Sequence, residues 1–164
     1  MHAVAWLALA AAVVGAQAPA AAPPVDTVAV RKEVLAVVNR LFDGMRAKDT
    51  AAIRATLHPA AALISAATRP NGTPAIQVDS VESWLRSIAT PRPEVLDERI
   101  FNERVLVDGT LASVWVEYTF YVGARLSHCG VDAFHIAKGP DGWKIIALAD
   151  TRRRTGCIEV PARQ

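Results

Sequence analysis

The sequence predicts an α+β fold, three helices packed against a sheet with four sizeable antiparallel strands, and three observations carry it. Apolar residues recur at helical spacing through Val28, Leu35, Val38, Phe42 and Met45; the stretch from Val95 to Val122 turns strand-like around Asp108-Gly109; and Gly130 to Thr151 reads as a second strand pair around Lys138-Gly139-Pro140-Asp141-Gly142. Helical patterns come first and strands later, in the order α-α-(β)-α-β-β-β-β, which favours a layered α+β domain. A chain of 164 residues holds enough material for one core.

The first helix is predicted over Val25 to Ala47, with Arg31, Lys32, Asn39 and Arg46 opposite its apolar stripe, Asp26 as N-cap and Pro23-Pro24 blocking backward growth. Asp49 or Thr50 caps a second, short helix over Ala51 to Leu57, and His58-Pro59 ends it because a residue before proline is pushed out of the α region. Ala61 to Ser65 reads as a short strand or buried turn, and Arg69 to Pro74 as a loop suited to a lid. Val81, Trp84, Leu85 and Ile88 follow the i, i+3, i+4, i+7 rule, so a third helix is expected behind Ser80 as N-cap, ended by Thr90-Pro91-Arg92-Pro93.

Of the two strand pairs, Asp108-Gly109 is a strong hairpin turn and Ala112 to Val122 is rich in β-formers. In the last pair, strict alternation groups Asp132, Phe134, Ile136, Lys144, Ile146, Leu148 and Asp150 on one face and Val131, Ala133, His135, Trp143, Ile145 and Ala147 on the other. Both faces are largely apolar, as in a strand pair covered on both sides.

The N-terminus belongs to a different class of segment. Ala3 to Val14 is apolar without Asp, Glu, Lys or Arg and is followed by Ala16-Gln17-Ala18, a small-x-small cleavage pattern. Residues 1–18 therefore read as a secretory signal peptide, with an uncleaved anchor as the rival; the run is short for a membrane span, so no stable span is expected after cleavage. Residues 19–24 form a Pro/Ala-rich tether, residues 25–157 the folded domain and residues 158–164 a C-terminal tail. Export to a periplasmic or extracellular space follows. Cys129 and Cys157 are the only cysteines, and an even pair in an exported chain reads as a disulfide, with two buried thiols as the alternative.

The formal charge of +2 is too mild for a phosphate-backbone binder, and the single basic run, Arg152-Arg153-Arg154, reads as a solvated strand end; nucleic acid is not an expected partner. No Gly-rich phosphate loop, serine elbow or CxxC is present, and no cofactor is expected. His128 and His135 stand seven apart, on opposite faces of a straight strand, which argues against a metal site.

The element order, with KDTAAIRATLHPAAALI early, DGTLASVWVEYTF in the middle and GPDGWKIIALADT near the end, resembles the nuclear transport factor two-like superfamily, the cone-shaped fold of ketosteroid isomerase, scytalone dehydratase and polyketide cyclases. The resemblance covers about Val25 to Thr151 and implies a curved antiparallel sheet of about four to six strands wrapped around the long helix, with an apolar pocket at the open end. It also implies where an isomerase would keep its general base, near Ile64 and Ser65, neither of which can take a carbon-bound proton. The isomerase's second acid, a protonated aspartate, has its nearest match in Asp132.

The candidate site residues are then as follows. Asp132 on an apolar face is a candidate general acid, with a bond to Ser127 or Arg152 as the structural alternative. His58, at a helix end that borders the pocket in the superfamily, and His128 are candidate bases. Tyr118 is a candidate donor, its alternative being a core tyrosine bonded to backbone; Trp84, Phe120 and Phe134 complete the ligand-facing set. Asp150 is expected to pair with one of Arg152 to Arg154. Three functions remain open: binding of a small, mostly apolar molecule in the cone, a cofactor-free lyase, isomerase or hydrolase using Asp132 with a histidine and Tyr118, or a homodimeric module joined through an outer sheet face that includes Trp115 and Tyr121. Binding leads because the isomerase base is missing.

Overall fold

The first helix, α1 (Thr27–Ala47), buries Val34, Val37, Val38, Leu41, Phe42 and Met45 and leaves Arg31, Lys32 and Arg40 in water. A single apolar stripe of this kind must be covered on one side, and the sheet covers it. The computed structural model describes residues 27–69 and 71–162. The expected signal peptide, tether and Asp26 cap, and the last two residues of the tail, lie outside the described residues. Among the described residues no helix is long and apolar enough to cross a membrane.

Helix α2 (Thr50–Thr56) starts where Asp49 accepts from the Ala52 amide at 2.9 Å, and α3 (Val81–Ala89) where Ser80 accepts from Ser83 at 3.1 Å. Both caps satisfy amides that the first helical turn leaves without partners. Six strands follow or interleave: β1 (Leu57–Thr68), β2 (Pro74–Asp79), β3 (Leu96–Asp108), β4 (Leu111–Val122), β5 (Arg125–Gly139) and β6 (Gly142–Thr151). They form one curved sheet in the order β2-β1-β6-β5-β4-β3, antiparallel throughout except for the parallel pair β1 and β6.

Three expectations change here. The short strand at Ala61 to Ser65 is the middle of a twelve-residue strand that takes in His58 and Pro59. The segment from Arg69 to Pro74 is the turn of a β1–β2 hairpin rather than a lid: Gly72 N–H donates to Arg69 O and Arg69 N–H to Thr73 O. Strand β2 is an edge strand whose Ile76 and Val78 remain exposed, so its sequence has no buried alternation to announce it.

The third change is a matter of face. In β5–β6 the pairing slips between His135/Ala147 and Ile136/Ile145, leaving Ile146 as an extra residue. A one-residue bulge turns over every side chain beyond it. Trp143 and Ile145 therefore join Phe134 and Ile136 in the core instead of sharing the outer face with His135, and Trp143 Nε1 donates to Glu33 at 3.0 Å.

The outer face is partly closed by the chain's own C-terminus. Cys129 and Cys157 form a disulfide, with Cα atoms 5.5 Å apart. From it the tail runs over β3 and β4: Thr119 donates to Ile158 O at 2.7 Å, Arg99 to Val160 O at 2.5 Å, and the Val160 amide to Tyr121 Oη at 3.2 Å. The Arg99 guanidinium also lies 3.9 Å over the Tyr121 ring. Tyr121 is buried, contrary to its expected place on an exposed face, whereas Trp115 remains half exposed. Replacing both cysteines by serine opens a loop of 28 residues. The expected outcome is a loss of about 3 kcal/mol in denaturant unfolding together with faster proteolysis beyond Gly156; an unchanged midpoint and an uncut tail would refute the strap.

Candidate functional site

Inside the curve of the sheet, between α1 and the inner faces of β1, β3, β4, β5 and β6, lies a cavity of about 80 Å³. One wall is apolar, made by Leu41, Phe42 and Met45 of α1, Trp84 of α3, Leu63 and Ile64 of β1 and Leu148 of β6. The opposite wall is polar and strongly acidic: Glu98, Asp132, Asp150 and Asp79 with Tyr118, His128, Ser65 and Arg152.

Asp132 defines the floor. It is only 2% exposed, and its Oδ2 has no N–H or hydroxyl donor among the described residues. The group it hydrogen-bonds with is another carboxyl, that of Glu98 on β3, so one of the two must supply the proton. Burial, then the negative charge and hydrogen bond of Glu98, hold Asp132 well above the ordinary carboxylate range. Burial also pushes Glu98 up, to about 7, with Asp150 adding to the rise and the hydrogen bond from Asp132 opposing it. Two carboxyls in an apolar enclosure cannot both ionise cheaply. At neutral pH Asp132 keeps its proton and donates it towards Glu98.

The neighbours of this pair are tied down. Asp150 receives the Arg152 guanidinium at 2.6 Å and the Ser65 hydroxyl, which settles both of its oxygens, as the expected pairing with the basic run requires. Tyr118 is 2% exposed and donates to Thr151 O at 2.9 Å; burial, then the charges of Glu98 and Asp132, raise its pKa further, so it acts as a neutral phenol. Gly130 makes that contact possible, since a Cβ there would meet Thr151 O at 1.8 Å and the Tyr118 ring at 2.8 Å. His128 stands edge-on to Tyr118, ring centres 5.7 Å apart, and against Phe120 at 4.9 Å. Burial and then the nearby Arg152 lower its pKa, leaving a neutral imidazole.

A family model described as "Putative lumazine-binding" matches residues 29–149, the span that contains all three helices but the first two residues of α1, and nearly all of the sheet. The chain belongs to this family. It is a branch of the nuclear transport factor two-like fold, and solved structures of that fold superpose on the chain. A protein from Shewanella baltica has a TM-score of 0.62 at 16% identity, covering 80% of this chain and 100% of its own. One from Novosphingobium aromaticivorans reaches 0.63 at 11% identity, over 79% of this chain and 85% of its own. A Streptomyces avermitilis protein, whose name proposes a dehydratase, has 0.58 at 18% identity over 78% and 99%. At these identities the likeness speaks for the fold alone. A search of curated proteins returns no match.

Within this lumazine-binding-like frame the expected residues divide. Asp132, His128, Tyr118 and Trp84 all line the cavity. His58 does not: it sits on the exposed start of β1, where its Nδ1 accepts from the Ala60 amide at 3.1 Å, because the strand begins one residue after α2 and carries it outward. Phe134 is buried in the main core, edge-on to Phe42 at 6.0 Å, deeper than the cavity. Phe120 packs against His128 and is not among the residues that line the cavity. Tyr118 has its proton committed to a carbonyl, the structural alternative, and offers only its oxygen to a ligand.

Sequence reasoning missed Glu98. The signal was present in Leu96-Asp97-Glu98-Arg99-Ile100, where alternation puts Glu98 on the inward face shared by the buried Leu96 and Ile100. The pair has a measurable consequence. Glu98 is raised from 4.5 in the unfolded chain to about 7, so its proton stabilises the fold fully below about pH 4.5, and this contribution is lost as pH rises through about 7. The stability of the wild type relative to the double variant Glu98→Gln/Asp132→Asn, from urea melts, is expected to fall by at least about 2 kcal/mol between about pH 4 and pH 8, because the raised Asp132 adds a loss of the same sign to that of Glu98. A difference that is flat across this range would mean the carboxyls do not share a proton.

Proposed function

We propose that this chain is an exported binding protein that takes up a small, mostly apolar molecule in the cone, with the molecule's polar end against the Asp132–Glu98 pair. One observation carries the reading: a 2% exposed carboxyl that bonds a second carboxyl, Glu98, and has an oxygen with no N–H or hydroxyl donor among the described residues, at the floor of a cavity whose other wall is Leu41, Phe42, Met45 and Trp84. Buried polar groups are normally paired, and an orphan costs about 1–3 kcal/mol, so its persistence beside a cavity favours a ligand that completes it. The cavity is far below the several hundred Å³ that encloses a drug-sized ligand. It suits a small molecule, or the head of a longer one that leaves past Trp84. The apolar leader and the cystine support an oxidising compartment outside the cytoplasm.

A second reading, cofactor-free acid-base catalysis, is favoured by the convergence of Asp132, Glu98, Tyr118 and His128 on one cavity. Asp132 would act as the acid and Glu98, titrating near neutrality, as the base that Ile64 and Ser65 cannot be. Homodimerisation is a separate proposal supported by exposed Trp115, Leu106 and Leu111 on the outer face, beside the area that the tail covers.

Native mass spectrometry of the protein purified from its own host tests the binding reading. The expected spectrum contains an added mass, released on denaturation, and at least tenfold less of it in Trp84→Ala. A bare polypeptide mass, with no small molecule in the denatured extract, would count against it.

A further inference from the structure

The charges round the cavity are lopsided. Four carboxyl groups line it, Asp79, Glu98, Asp132 and Asp150, against a single guanidinium, Arg152. That guanidinium is already held by Asp150 at 2.6 Å, and Asp79 has a neutral partner in the Gln77 amide at 3.2 Å. The two deepest acids, Glu98 and Asp132, have no cationic side chain in hydrogen-bonding contact among the described residues. Ion pairs elsewhere in the chain are matched, as in Asp97, which takes both Arg46 and Arg99 at 2.7 Å. A buried acid pair kept without a counter-ion is costly to a fold that has no use for it.

We propose that the floor of the cavity is a counter-ion site for a protonated amine: the carboxyls of Asp132 and Glu98 receive a small ammonium head while Leu41, Phe42, Met45 and Leu148 enclose its aliphatic body. This rests on the binding reading above and names the ligand class for it. An ammonium brings three donors and no acceptor, so it satisfies the orphan Asp132 Oδ2 and replaces the proton that the pair otherwise holds between them. The Trp84 indole in the apolar wall offers a cation an aromatic face. A carboxylate ligand would meet two acids, and a neutral alcohol would leave the pair's charge unanswered.

The charged and titratable groups around the pair are Asp97 beside Glu98 on β3, Tyr118 from β4, His128 from β5, Asp150 and Arg152 from β6 and its end, and Asp79 at the end of β2. His128 and Tyr118 are neutral near pH 7, and Arg152 and Asp97 are held in ion pairs, with Asp150 and with Arg46 and Arg99, so the pH response comes from the pair. The amine displaces a proton, and its affinity rises with pH until the pair has lost that proton.

The test is binding of isobutylamine, isobutanol and isobutyrate to the full chain, followed by NMR chemical-shift titration at about pH 6 and pH 8. The expected result is that the amine binds at least tenfold more tightly than the alcohol and several-fold more tightly at the higher pH. The preference should vanish in Asp132→Asn, and separately in Glu98→Gln should one variant fail to fold. Equal binding of amine and alcohol, or tighter binding of isobutyrate, overturns the amine assignment and leaves the pocket reading standing. Binding of none of the three overturns both.

Discussion

A sheet can wrap one helix only if its long strands bend, and in this chain the bends fall at identifiable residues. The pairing slips at Asn102 and Glu103 in β3, at Ser127 in β5 and at Ile146 in β6. Asn102 takes a positive φ of 54° at the first of these. Each bulge adds local twist and turns the strand over the helix. The same slip that sends Trp143 and Ile145 into the core keeps Leu148 and Asp150 facing the cavity, so the bulge at Ile146 sets both the packing of α1 and the acid wall.

The curvature also explains how Glu98 and Asp132 meet although a whole strand, β4, lies between theirs. Gly130 contributes by absence: without a side chain at that inward position, the Tyr118 ring and the Thr151 carbonyl close together. The carboxyl pair is therefore a product of the cone's shape, and a shared proton is the physical outcome of holding two acids where water is scarce. The disulfide and the tail act on the opposite face, covering Thr119 and Tyr121 and leaving Trp115 exposed.

Much of this was legible beforehand, for physical reasons. The helix stripe through Val38, Phe42 and Met45, the caps at Asp49 and Ser80 and the turn at Asp108-Gly109 are local signals that appear in the structure as local features, whereas Val28 of the expected stripe is exposed and Leu35 only partly buried. Asp132 was visible because a carboxylate amid Phe134 and Ile136 contradicts its surroundings. What alternation could not give was the bulge at Ile146, since an extra residue leaves no mark in a run of apolar side chains. His58 was placed by analogy of position and moved outward once β1 proved longer than its apolar centre. Glu98 lay in a stretch where charged residues hold three of five positions, so its inward direction was hidden among acids and bases that point elsewhere.

Asp132 and Glu98 titrate as one buried pair, and carbon-13 NMR of the carboxyl carbons reads this directly. Followed from about pH 3 to pH 9, the Glu98 signal should move with a midpoint near 7 and perturb Asp132 at the same pH, while Asp132 itself stays protonated well above the ordinary range. Two independent titrations near about 4, the value for solvated carboxyls, would contradict the account.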